Sequence, residues 1–386
     1  MSKISIGIAG CGTMGSGIAR VAAQAGHEAV LYDIKQELLD KALGNLKAQL
    51  DKELEKGKIT KDTKEKILNG IRTSTSISDF KTCGLVIEAV VENISIKKEF
   101  FQSLESVISS DAVVGTNTSS LSVTSLSSAF KNPARFLGIH FFNPAPLMPL
   151  VEIVPTLSTS PSVLNLTEEL IKSWGKITVR TKDTPGFIVN RVARPYYSEA
   201  LRIADEGIAD YATIDHAMKT QGGFKMGPFE LMDLIGHDVN YVVTETVWKE
   251  HYFDTRFTPS LTQKRLLEAG HLGRKTGKGF FDYSQPIPKP SEDPALLKQI
   301  FERILAMLVN MAADTLHMGI ATRDDIDLAV TKGVNYPKGL LKWADEWGIS
   351  EVVRVLNNLY SYYQEERYRP HVLLKKMQSE NKWFYS

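Results

Sequence analysis

Two spacings of apolar residues divide this chain. In its first half, short apolar runs alternate with stretches in which apolar residues recur every three or four positions. The runs fall at 4–9, 28–32, 85–90, 112–115, 136–142, 150–154 and 177–181, and each predicts a strand. Between the first two, a helical pattern runs from about Met14 to Ala25 and is stopped by Gly26. Residues 35–72 break the alternation: they are rich in Lys and Glu, carry leucines at helical spacing and are interrupted at Gly57. That pattern predicts a helical hairpin inserted among the strands. After Asp183-Thr184-Pro185-Gly186 the strand signal ends, and residues 187–204 read as one amphipathic helix.

The helical half repeats itself. "DEGIADYATIDHAM" at 205–218 matches "HMGIATRDDIDLAV" at 317–330, a constant offset of 112 residues (205 to 317). At the same offset Asp233 and Gly236 match Asp345 and Gly348, and "IVNR" at 188–191 meets "IFER" at 300–303. Duplication of one helical module accounts for this register. Asn190 in the first copy becomes Glu302 in the second, so chemistry that needs the asparagine belongs to the first copy alone. The Pro-rich stretch Ser284–Pro290 reads as the linker between copies.

The loop after the first strand is Gly10-Cys11-Gly12-Thr13-Met14-Gly15, and the second strand ends at Asp33, 18 residues past Gly15. Strand, glycine loop, helix, strand and acid in this order form a dinucleotide-binding unit. The glycines let a pyrophosphate approach the backbone amides at the helix N-terminus. Asp33 would accept hydrogen bonds from the adenosine ribose and repel a 2′-phosphate, which favours NAD over NADP. The predicted fold class is an α/β Rossmann-type domain over 1–183, with the hairpin at about 35–72, followed by two repeated all-α domains at 184–285 and 292–386.

Two polar residues interrupt apolar runs that should be buried. His140 lies within 136–142 and Glu152 within 150–154. A buried carboxylate costs several kcal/mol unless something pairs with it. Glu92, Asn117-Thr118-Ser119-Ser120 and Asn143 follow strands, at the ends where ligands of such sheets bind.

Composition narrows the function classes. The chain has 386 residues and a formal net charge of +1, which gives no global field toward nucleic acid or a membrane surface. Its 2 cysteines are too few for a disulfide framework or a zinc site, and no metal is expected. No apolar run reaches the ~18–20 residues that span a bilayer, and an apolar strand begins almost at once, so a cytoplasmic protein is expected.

The stretches "GIAGCGTMGSGIA", "VIEAVVEN", "TNTSSLSV", "FLGIHFFNPAPLMPLVEIV", "DTPGFIVNR", "GPFELMDLIG" and "GRKTGKGFFDY" resemble the L-3-hydroxyacyl-CoA dehydrogenase family, in its 3-hydroxybutyryl-CoA branch. The resemblance covers residues 4 to about 284, and 292–386 resembles a second copy of the family's C-terminal domain. It implies an NAD-dependent oxidation of an L-3-hydroxyacyl-CoA, with His140 and Glu152 as the catalytic pair and Ser119 bonding the reacting oxygen. By motif position Ser119, rather than Ser120, has that role. Asn190 would stand near the substrate carbonyl, with Asn143 in the same cleft. The resemblance further places Gly10, Gly12, Thr13, Met14, Gly15, Asp33, Glu92, Lys97 and Asn117 at the cofactor, and Lys56 at the coenzyme A phosphates. It also implies that the second copy replaces a partner subunit, favouring a monomeric internal pseudo-dimer over a homodimer. Two alternatives stand beside it: a β-hydroxyacid dehydrogenase acting on a substrate without coenzyme A, and a catalytically silent NAD-binding protein. The acyl chain length is open.

Overall fold

The computed structural model describes residues 4–385. The chain divides into two compact units, Met1–Thr184 and Pro185–Ser386. In the first, eight strands form one sheet: β1 (Ser5–Ala9), β2 (Glu28–Tyr32), β3 (Ile71–Ser74), β4 (Cys83–Glu88), β5 (Val113–Thr116), β6 (Phe136–Phe141), β7 (Leu150–Pro155) and β8 (Ile177–Arg180). Their order is β3-β2-β1-β4-β5-β6-β7-β8. Pairing is parallel except between β6 and β7. The connection 142–149 is too short for a parallel crossover, so β7 returns antiparallel to β6. The helices of this unit are α1 (Thr13–Ala25), α2 (Gln36–Glu55), α3 (Lys61–Asn69), α4 (Ile94–Glu105), α5 (Val123–Ser127) and α6 (Pro161–Ser173). Ile6, Ile8, Leu31, Leu85, Ile87, Ile139 and Ile153 sit in one buried core with Ile18 and Ala22 of α1.

This sheet differs from the expected one in two places. The hairpin of α2 and α3 does occur, turning at Gly57 with φ +64°. It runs straight into β3, a strand the sequence pattern hides: Ile71-Arg72-Thr73-Ser74 offers only one large apolar residue, and β3 lies at the sheet edge where one side needs no partner. The expected strand at 85–90 ends earlier, at Glu88, because that side chain turns back and takes the amide of Val90 at 2.7 Å.

The second unit is helical: α7 (Val189–Val192), α8 (Arg194–Asp205), α9 (Tyr211–Gly222), α10 (Pro228–Ile235), α11 (His237–Glu250), α12 (Leu261–Glu268), α13 (Pro294–His317), α14 (Arg323–Gly333), α15 (Leu340–Trp347), α16 (Ile349–Tyr363) and α17 (Val372–Glu380). The duplication is visible in detail. Asp215 accepts the first amides of α10, from Phe229 at 2.8 Å and Glu230 at 2.9 Å. Asp327 does the same for α15, from Leu341 at 2.8 Å and Lys342 at 2.9 Å. The single helix expected over 187–204 is instead two, α7 and α8, because Pro195 lies in the first turn of α8 and supplies no amide for a continuous ladder. At the equivalent position the second copy has Met307, and α13 runs unbroken.

The copies pack on each other through α13 against α8 and α9. Phe224 and Tyr336, equivalent at the offset of 112 (224 to 336), touch each other with ring centroids 5.0 Å apart. A residue that meets its own equivalent lies on a two-fold axis, as in an isologous dimer. Arg191 and Arg303 are likewise equivalent, and each reaches into the other copy. Arg191 pairs with Asp314 at 2.6 Å, and Arg303 donates to Glu199 at 2.8 Å and Glu206 at 2.9 Å.

Candidate active site

Register places His140 directly opposite Glu152 across the β6–β7 pair. Side chains at opposed positions share a face of the sheet, and Nδ1 of His140 lies 2.7 Å from Oε2 of Glu152. The imidazole is 5 % exposed and the carboxylate 0 %. Each therefore supplies the partner that burial demands of the other. In the tautomer that carries its proton on Nδ1, the imidazole donates to this carboxylate. His140 lies near the carboxyl end of β6, where ligands of open α/β sheets bind.

The strands beside β6 build a second network. Glu88, at the end of β4, accepts from Val90 N at 2.7 Å, from Thr116 Oγ1 at 2.7 Å and from Lys97 Nζ. Lys97, 1 % exposed, also pairs with Glu92 at 3.2 Å. Glu92 then gathers the loop after β5, accepting from Thr118 Oγ1, Ser119 N at 3.2 Å and Ser120 Oγ at 3.1 Å. Burial pushes the Glu92 carboxyl up, but Lys97 and Thr118 outweigh it and hold the group below the usual carboxylate range. Glu92 and Lys97 thus hold the Ser119 loop, with the Lys97 ammonium buried between Glu88 and Glu92. The two serines differ physically: Ser120 Oγ is committed to Glu92, whereas Ser119 gives it only its amide. Asn117 is committed as well, its Oδ1 accepting from Phe141 N at 2.8 Å and tying the end of β5 to the strand that carries His140.

A groove of about 1310 Å³ runs along the glycine loop, Asp33 and Asn143. A Cβ at Gly15 would stand 1.8 Å from Gly10 O, so the turn into α1 admits only glycine there. A Cβ at Gly12 would meet nothing within 4 Å, and the first turn of α1 has no side-chain cap. Space and free amides therefore coincide where a pyrophosphate would sit. Asp33 is oriented by Cys11 N at 3.1 Å, and burial together with Asp33 pushes the Cys11 thiol up to about 12, which keeps it protonated. These residues fit a dinucleotide. Thr13 and Met14 line the same groove. So do Lys41, Asn45 and Gln49, one polar stripe at four-residue spacing on α2 that the sequence reading passed over. Lys56 caps the far end of α2, exposed and outside the groove wall. Asp33→Ala should weaken NAD binding ~10-fold or more, the weight of a charge-assisted hydrogen bond, and narrow the preference over NADP. A wild type that prefers NADPH would overturn this role for Asp33.

In the second unit, Asn190 sits in the short helix α7. Its Oδ1 accepts from Arg194 Nη2 at 3.2 Å and its backbone oxygen from Arg194 Nε at 3.1 Å. That contact fixes the amide with its NH2 group directed elsewhere, as a donor. Glu302, the equivalent in the second copy, pairs with Lys298 of its own helix at 3.7 Å. Among the described residues no group of His, Cys, Asp and Glu is arranged to hold a metal ion, and no helix is long and apolar enough to cross a membrane.

With this geometry the sequence comparisons agree. The family description "3-hydroxyacyl-CoA dehydrogenase, NAD binding domain" fits residues 5–184. "3-hydroxyacyl-CoA dehydrogenase, C-terminal domain" fits two stretches, 186–283 and 300–383. The chain belongs to the 3-hydroxyacyl-CoA dehydrogenase family. It is 37% identical to 3-hydroxyadipyl-CoA dehydrogenase of Escherichia coli K12, over 96% of this chain and 97% of that one. It is 40% identical to 3-hydroxybutyryl-CoA dehydrogenase of Clostridioides difficile, which covers 73% of this chain at 100% of its own length. The crystal structure of 3-hydroxybutyryl-CoA dehydrogenase from Escherichia coli K12 superposes with a TM-score of 0.94 at 36% identity, covering 99% of this chain and 100% of that one. Members of the 3-hydroxyacyl-CoA dehydrogenase family are NAD-dependent oxidoreductases, and this chain carries the duplicated form of their C-terminal domain.

Proposed function

We propose that this enzyme interconverts an L-3-hydroxyacyl-CoA and its 3-ketoacyl-CoA, with the His140–Glu152 pair as the proton-handling group. The 2.7 Å contact between two buried, register-matched side chains carries the reading. In oxidation, Nε2 of His140 takes the proton of the 3-hydroxyl while the hydrogen on C3 departs with its electron pair. Glu152 stabilises the imidazolium that results, and in reduction the proton returns by the same route. When bound, NAD supplies the hydride acceptor; Gly10, Gly12, Thr13, Met14, Gly15 and Asp33 would hold it. Ser119 donates to the reacting oxygen, its loop held rigid by Glu92. Asn190 donates to the thioester carbonyl, as an oxyanion hole does.

The decisive assay follows absorbance at 340 nm with NADH and acetoacetyl-CoA. Loss of signal above the enzyme-free control is the expected result. NADH binding without turnover of this or longer 3-ketoacyl-CoAs would favour a silent NAD-binding protein on the same scaffold.

The second helical copy takes the place of a partner subunit in this reading. The self-contact of Phe224 with Tyr336 and the reciprocal crossing of Arg191 and Arg303 support it. One chain would then be monomeric.

A further inference from the structure

Arg194 is a buried cation without a buried anion. It is 5 % exposed, and none of the ion pairs among the described residues includes it. Its neighbours are neutral: Asn190 on Nε and Nη2, Thr244 Oγ1 on Nη1 at 2.8 Å, and the Tyr197 ring 5.1 Å away. The contrast within the same unit is sharp, since Arg191, Arg202, Arg256 and Arg303 each pair with a carboxylate. Burying a guanidinium with no counter-charge costs several kcal/mol, and such sites persist where an anion arrives from outside. A second polar group is left over nearby. Tyr336 Oη is buried with no hydrogen-bond partner among the described residues, and its ring lies 5.6 Å from that of Tyr196, two residues after Arg194.

A guanidinium has five N–H donors, and the three contacts above leave two of them for a ligand. Arg194 follows Asn190 by one helical turn and holds its amide. An anion bound at Arg194 would thus stand a few bonds from a thioester carbonyl held by Asn190. Coenzyme A phosphates lie at the opposite end of an acyl-CoA from the acyl tip, so they do not answer this description. A carboxylate at the end of a short acyl chain does.

We propose that Arg194, with Tyr336 of the second copy, receives the distal carboxylate of a dicarboxylic 3-hydroxyacyl-CoA, making this enzyme selective for six-carbon or similar diacids over monoacids. The inference rests on the proposed acyl-CoA dehydrogenase activity and on the role of Asn190 in it. Without the carboxylate, a monoacid would leave the guanidinium buried and unpaired, the situation that gives enzymes their strongest discrimination.

The test compares kcat/KM for 3-hydroxyadipyl-CoA and 3-hydroxyhexanoyl-CoA, which share chain length and differ at the tip. The wild type should favour the diacid by about 10²-fold or more. Arg194→Met should collapse that ratio toward one, and Arg194→Lys should restore part of it. Equal wild-type rates, a preference for the monoacid, or equal losses on both substrates in Arg194→Met would overturn the inference while leaving the dehydrogenase reading intact. If Arg194→Met fails to fold, the wild-type ratio and Arg194→Lys decide the matter. Absence of NADH formation from either substrate would overturn the dehydrogenase reading and this inference together.

Discussion

Replacing His140 by glutamine lowers kcat by ~10²–10⁴-fold, the range lost with a general acid–base, while the affinity for NADH changes little. The substitution keeps a polar side chain of similar length on β6, opposite Glu152, so the sheet has no reason to rearrange. What it removes is the imidazole proposed to take the proton of the 3-hydroxyl. The cofactor groove is built from other elements, chiefly the β1–α1 loop and the end of β2. Binding of NADH, followed by fluorescence titration, should therefore survive. Near-normal turnover in the folded variant would remove His140 from the mechanism.

A chain ending after Tyr283 either dimerises or aggregates, while the full-length protein stays monomeric in light scattering. Without the second copy, Tyr196 and Phe224, 1 % and 6 % exposed, lose Tyr336 and Trp343 as packing partners. Exposing two such rings costs about 3–6 kcal/mol, a large part of an ordinary domain's stability. Arg191 also loses Asp314, and Glu199 loses Arg303. Pairing with a second truncated chain across the same axis would restore an equivalent face. A truncated chain that is soluble, monomeric and fully active would show that the copy covers nothing.

Legibility in the sequence followed the strength of the physical conflict at each residue. Glu152 and His140 stood out because charge in an apolar run is costly, and the structure brings them together. Glu88 poses the same conflict in "VIEAVVEN" and was passed over, although its buried carboxylate organises the loop that holds Ser119. The glycine loop was readable because backbone approach leaves no room for Cβ at Gly15. Strand β3 was not, since a short edge strand needs little apolar signal. The break between α7 and α8 turned on one residue, Pro195, against an amphipathic pattern that ran through it. Arg194 could not be singled out from sequence: only its surroundings show that no acid accompanies it.

The central claim is that His140 and Glu152 act as one unit, and a double-mutant cycle on kcat tests it most directly. The cycle uses wild type, His140→Gln, Glu152→Gln and the double variant, each checked for NADH binding. If Glu152 works only through the imidazole, the single Glu152→Gln change slows turnover, and adding it to His140→Gln costs nothing further. Losses that multiply in the double variant would mean that the two side chains contribute separately, and the account of the pair would be wrong.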